Sequence, residues 1–234
     1  MKTNNFNIYV MSYKRSDAIL SKECFEYCTY CVRKSEEKLY RDAGITDLLT
    51  IPDEEVHDFM STFYWILNNT PEEVVFIADD DIKNFLYRTD DCVSLTDKET
   101  ITSEIERIAQ VLCDLNLGLA YDNPQKAPYV YDKEYAFKGM PGHIRWVNKN
   151  AFKARYNVED PASSDIDMAM QEMLMNRIIL LPKYFLSSAM MDTNKGIVED
   201  RSEHIAMTAA MKCKWAKYYN YDYRKNTASI NVSR

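Results

Sequence analysis

Glycine is scarce in this chain of 234 residues: there are five, and neither G-x-G-x-x-G nor the P-loop spacing occurs. A nucleotide bound here would have no glycine loop for its phosphates and would need a metal and basic side chains instead. Histidine is scarcer still, with His57, His143 and His204 only. No serine or cysteine sits in a nucleophile elbow, so a hydrolytic triad gains no support. No apolar stretch approaches the ~20 residues of a membrane span. The opening residues lack the apolar core of a signal peptide, and the cytoplasm is the expected compartment. Six cysteines in such a chain are expected as thiols or ligands rather than disulfides. Internal repeats and low-complexity tracts are absent.

What is present begins with an ordinary globular composition, 46% apolar and 28% charged. The length suits one large α/β domain. We expect it over residues 1–210, with 211–234 as a basic aromatic segment that packs on it or contacts a substrate. Net charge is −7, but the last 24 residues carry six basic groups against Asp222 alone, leaving −12 on the rest. Trp215, Tyr218, Tyr219, Tyr221 and Tyr223 lie in that same tail. Lysines interleaved with aromatics can neutralise phosphates and stack on bases, so Lys212 and Lys214 are candidate acceptor contacts. The plainer reading is a final helix with its aromatics on the core and its lysines solvated.

The strongest local signal is the apolar run Val74–Ala78, which ends in three consecutive carboxylates, Asp79, Asp80 and Asp81. Five apolar residues rich in β-branching read as a buried parallel strand. The acids then emerge at its carboxyl end, where open α/β sheets bind ligands. Clustered hard oxygen donors at that rim suit a divalent cation.

Strand-like and helix-like segments alternate around it. Strands are expected at Asn7–Ser12, Tyr27–Arg33, Leu48–Ile51, Leu117–Tyr121, Ile144–Val147 and Ile178–Leu181. Helices are expected from Asp53 or Glu54 to Asn68, from Thr102 to Leu115, from a Ser163 or Ser164 cap through about Arg177, and finally through about Tyr218. That order predicts a mostly parallel, doubly wound sheet. Ser12, Tyr13, Lys14 and Arg15, just past the first strand, would share the acidic rim, where arginine suits bidentate phosphate contacts. Asp165 and Asp167 open a helix, where the dipole alone favours acids, yet one facing the rim could serve as a general base. His143 could touch a substrate, and His204 could add a metal ligand. The 194–201 loop is a candidate lid. Cys24-x3-Cys28-x2-Cys31 matches the cluster pattern of radical SAM enzymes, against buried free thiols as the alternative.

Ile8–Arg15, the Val74–Ile82 segment and the Asp165/Asp167 region together resemble a GT-A type glycosyltransferase. More narrowly, Ser12-Tyr13-Lys14-Arg15, Lys38-Leu39-Tyr40, Asp79-Asp80-Asp81-Ile82 and Asn194-Lys195-Gly196 resemble the TET-associated glycosyltransferases of bacteriophage. The resemblance implies Mn2+ or Mg2+ held by Asp79 and Asp81, with His204 as a further ligand. It implies a nucleotide-sugar donor, such as a UDP-sugar, held by Ser12 to Arg15, Asp79, Asp80 and Lys195. Asp165 or Asp167 is then the base if the reaction inverts configuration. The implied acceptor is a 5-hydroxymethylpyrimidine in phage DNA, met by His143, Arg145, Trp146, Lys212 and Lys214. The chain departs from the pattern in having Ile197 after Gly196, and no arginine in the helix before the acidic strand. A non-catalytic binding module with the same shell is the rival class.

Overall fold

Alternating apolar residues in the first strand set the layering of the molecule. The computed structural model describes residues 5–89, 91–122, 132–189 and 201–232. Strand β1 (Phe6–Met11) sends Ile8 and Val10 to one face of a central sheet and Tyr9 and Met11 to the other. Strand β4 (Val74–Asp79) does the same with Phe76 and Ala78 against Val75 and Ile77. Both faces are therefore covered, as a continuously apolar strand requires.

The central sheet has six strands in the order β3-β2-β1-β4-β9-β7. Here β2 is Thr29–Arg33, β3 is Leu48–Ile51, β7 is Leu119–Tyr121 and β9 is Ile144–Asn148. Strands β3, β2, β1 and β4 are mutually parallel, whereas β9 runs antiparallel to both of its neighbours. Helix α3 (Lys98–Asp114) packs Ile101, Ile105, Ile108 and Leu112 on one face. Helices α2 (Phe59–Asn69) and α4 (Asp165–Met175) cover the other, with Phe63 and Ile66 and with Met168 and Met173. Each such fully buried side chain contributes roughly 1.5–3 kcal/mol. The expected doubly wound, mostly parallel sheet is present.

Several boundaries differ from expectation. Asp53–Glu55 is a single 3-10 turn, and α2 begins only at Phe59. Its start is set by a capping box: Asp58 accepts the Ser61 N–H, and Ser61 Oγ receives the Asp58 N–H. After the acidic triplet the chain does not cross over to another helix. It continues into an antiparallel sheet, β11-β5-β6, from β5 (Ile82–Arg88), β6 (Cys92–Leu95) and β11 (Phe185–Ala189). The 178–181 segment yields one parallel bridge, Ala120 to Leu180, and a two-residue strand, Leu181–Pro182. Helix α5 (Arg201–Trp215) ends before Tyr218, and the tail then forms a hairpin of β12 (Tyr219–Asp222) and β13 (Thr227–Ile230). Among the described residues no helix is long and apolar enough to cross a membrane.

Candidate active site

The acidic triplet stands at the carboxyl end of β4, in the tight connection to β5. Its three carboxylates are held differently. Asp80 is buried at 6% exposure and faces the loop that leaves β1. Ser12 Oγ donates to its Oδ2 at 2.5 Å, and Arg15 Nη1 donates to its Oδ1 at 2.8 Å. Burial pushes the Asp80 carboxyl up to about 6, while Ser12 and Arg15 pull it back. Arg15 Nη1 also lies 3.8 Å from Asp81 Oδ2. Asp79, whose side chain keeps 30% exposure, pairs with Arg145 Nη2 at 3.2 Å. Close packing pushes its carboxyl up as well, against the pull of Arg145.

The loop 12–15 is fixed from behind by two residues to which sequence reasoning gave no role, although Tyr40 lies in the Lys38-Leu39-Tyr40 motif. Tyr40, on the short helix α1 (Glu37–Asp42), lies 2.5 Å from Ser12 Oγ and accepts the Arg15 N–H at 3.3 Å. Because the Ser12 proton is spent on Asp80, the Tyr40 hydroxyl is the donor to Ser12. Glu36 accepts the Lys14 N–H at 3.0 and 3.2 Å. That bond holds Lys14 at φ 56°, a left-handed conformation that costs a non-glycine residue about 1 kcal/mol. Glu36 and Tyr40 are four apart, so they share one helical face; that spacing was the available signal. Tyr13 is half-buried beneath the Arg33 guanidinium, which lies 4.2 Å from its ring centre.

Arg145 reaches Asp79 because β9 is antiparallel to β4, so the beginning of one meets the end of the other. Their register pairs Ile77 with Arg145 and Ala78 with Ile144. Arg145 is 2% exposed, lies 4.5 Å above the Phe59 ring, and donates to the His143 carbonyl at 3.3 Å. Its positive charge is felt by Asp79 and by Asp165. Asp165 opens α4 behind the Ser164 cap, and burial raises its carboxyl pKa against the pull of Arg145. His143 faces Asp79, Asp122 and Asp165.

Asp122 follows β7 directly, the same strand-then-acid signature as the triplet. It is fully buried and accepts the Ser187 N–H and hydroxyl at 2.9 and 2.6 Å and the Ile144 N–H at 3.3 Å. A side chain on Gly142 would put its Cβ 1.9 Å from Asp122 Oδ1, so only glycine fits there.

Other expected contacts do not converge on this rim. Asp167 is 1% exposed and binds Gln171, Lys214 and the Trp215 indole at 2.8, 2.9 and 2.7 Å. It anchors α5 instead of facing the acids. Lys214 is thereby committed, with Asp160 as its second partner at 2.7 Å, and Lys212 donates to the Tyr219 carbonyl at 2.8 Å. Trp146 is a core residue, not an acceptor contact: it is fully buried and donates to the Ile105 carbonyl at 3.0 Å. The His204 ring packs edge-on to Tyr221. Lys195 and most of the 194–201 loop lie outside the described residues.

Among the described residues no three His, Cys, Asp or Glu side chains are grouped to hold a metal, so His204 is not assembled with Asp79 and Asp81. The donor set still fits Mg2+ or Mn2+, which take carboxylate oxygens and use one or two of them together with substrate phosphates. The cysteine pattern is not a cluster site. Cys24 and Cys31 lie in cores on opposite faces of the sheet, and burial pushes the Cys24 and Cys28 thiols up to about 11.

Strand order, the acidic turn and the second sheet define the GT-A fold of nucleotide-sugar glycosyltransferases, and comparison with solved structures agrees. A mannosyltransferase from Pyrobaculum calidifontis, solved with GDP-Man and Mn2+, is 13% identical with a TM-score of 0.58, over 90% of this chain and 63% of that one. Glucosyl-3-phosphoglycerate synthase from Mycobacterium tuberculosis, solved with Mn2+, UDP-glucose and glycerol 3-phosphate, is 7% identical with a TM-score of 0.54, over 97% of this chain and 86% of that one. At such identities the likeness is one of fold. No protein-family model matches the sequence. No curated protein matches it either.

Proposed function

We propose that the chain is a metal-dependent glycosyltransferase that moves a sugar from a nucleotide-sugar donor to a hydroxyl. The observation that carries this reading is the lock between Arg15 and Asp80, which presents a basic loop and an acidic turn on one rim of a GT-A sheet. The similar folds were solved with GDP-Man or UDP-glucose together with Mn2+, which supports a nucleotide sugar as donor.

In this mechanism Asp79 and Asp81 would hold the cation, and Ser12 to Arg15 would receive the nucleotide. When bound, the metal offsets charge on the departing diphosphate. Arg15 adds a guanidinium to the same task. The bond from the anomeric carbon to the diphosphate oxygen breaks as the acceptor oxygen bonds that carbon. The acceptor proton passes to Asp165, whose raised pKa moves it toward the working range of a base. Such a base belongs to an inverting route; a retaining route would not require one there.

For the acceptor we propose a 5-hydroxymethylpyrimidine in DNA, on the resemblance to the phage enzymes. The tail supports it in a changed form. Lys212 and Lys214 have internal partners, but Lys217, Arg224 and Lys225 are exposed beside exposed Tyr218 and Tyr223. A base in duplex DNA would have to be flipped out to enter.

A thermal-shift screen of nucleotide sugars with and without Mn2+ tests the donor half, with stabilisation expected only when both are present. Asp81→Asn should leave the melting temperature near wild type and abolish metal-dependent transfer; undiminished transfer would refute the assignment. For the acceptor, binding to hydroxymethylated DNA should weaken with added salt and on neutralising Lys217, Arg224 and Lys225.

A further inference from the structure

The acid triplet is already countered by the protein's own cations. Arg15 lies 2.8 Å from Asp80 and 3.8 Å from Asp81, and Arg145 lies 3.2 Å from Asp79. Within the triplet, three carboxylates against two guanidiniums leave about one negative charge, with Asp165 as a further carboxylate felt at Asp79, so the two arginines remove much of what a bare divalent ion in water would gain. Arg145 is the more telling of the pair. It is 2% exposed, yet among the described residues its Nε and Nη1 have no hydrogen-bond partner. A buried guanidinium with two unpaired nitrogens is costly, and its charge is held in place by the pair with Asp79 and by the Phe59 ring. The rim is thus poorer for a cation alone than three carboxylates would suggest.

We propose that Arg145 is a resident cation that occupies the metal's place beside Asp79 and makes cation binding conditional on a nucleoside diphosphate. The diphosphate supplies the negative charge that lets a divalent ion settle against Asp79 despite Arg145. The identity of the anion rests on the glycosyltransferase reading; the conditional binding rests on the charges around the triplet. Bare metal, which would otherwise sit on the rim without donor, is kept off.

Mn2+ binding measured by electron paramagnetic resonance, with and without UDP, tests this on the full chain. Wild type should bind Mn2+ alone at least about tenfold more weakly than with UDP. Arg145→Gln removes the charge, and should bind bare Mn2+ about tenfold more tightly, since even in water a divalent ion about 6 Å from a guanidinium is repelled by that factor. Arg145→Lys keeps the charge and should behave as wild type. If Arg145→Gln does not fold, Arg15→Gln, at the partly exposed rim, should show the same tightening. Unchanged bare-metal affinity in the folded glutamine variants, or tight bare-metal binding in Arg145→Lys, would overturn the inference while leaving the functional reading standing. Wild type that takes neither Mn2+ nor UDP would overturn both.

Discussion

Two acids two residues apart divide between chemistry and architecture. Asp165 shares its surroundings with Arg145, Asp79 and His143, whereas Asp167 is enclosed by Lys214, Trp215 and Gln171. Asp165→Asn should therefore preserve the urea midpoint and abolish transfer. Asp167→Ala should cost about 3–5 kcal/mol in urea denaturation, because it leaves a buried indole N–H unpaired and weakens the hold on Lys214. Equal destabilisation by the two would contradict the division. The sequence could not make this choice, because successive helical residues differ by about 100° in direction. Only the docking of α5 against α4 says which way is inward. Trp146 shows the converse: an aromatic next to a site residue on a strand points to the opposite face, and here that face is the α3 core.

At the scale of elements, the strands of the central sheet were readable, but the reversed direction of β9 and the second, antiparallel sheet were not. Val74–Ala78 and Leu48–Ile51 are short apolar runs with sharp stops, and they are strands β4 and β3. Strands β5, β6 and β11 have mixed exposure or follow no turn signature; β6 pairs locally with β5, but β11 joins it only across about a hundred residues. Arg145 was expected as an acceptor contact, and the same blindness hid its pairing with Asp79, which depends on the direction of β9. The start of α2 was misplaced because Asp53 and Glu54 are plausible caps, while the reciprocal bonds belong to Asp58 and Ser61. Asp58→Ala should cost about 1 kcal/mol in urea denaturation. It should also loosen Phe59, the ring beneath Arg145.

At the scale of the whole molecule, Asp122 joins the two sheets. Its carboxylate accepts from Ser187 on β11 and from Ile144 on β9. Asp122→Ala leaves three buried donors unpaired and should destabilise the chain by about 3 kcal/mol or more, read from the denaturation midpoint. A loss below about 1 kcal/mol would mean the sheets are joined by packing alone. The reversed strand β9 has a further consequence, for the chain as it is synthesised. Residues 6–79 complete four parallel strands and bring both halves of the donor rim together, but the far edge of β4 has no partner until residues 144–148 emerge. For the time it takes to make some sixty-five more residues, a strand with five consecutive apolar residues presents an open hydrogen-bonding edge in the cell, a natural point for a chaperone to hold and for aggregation to begin.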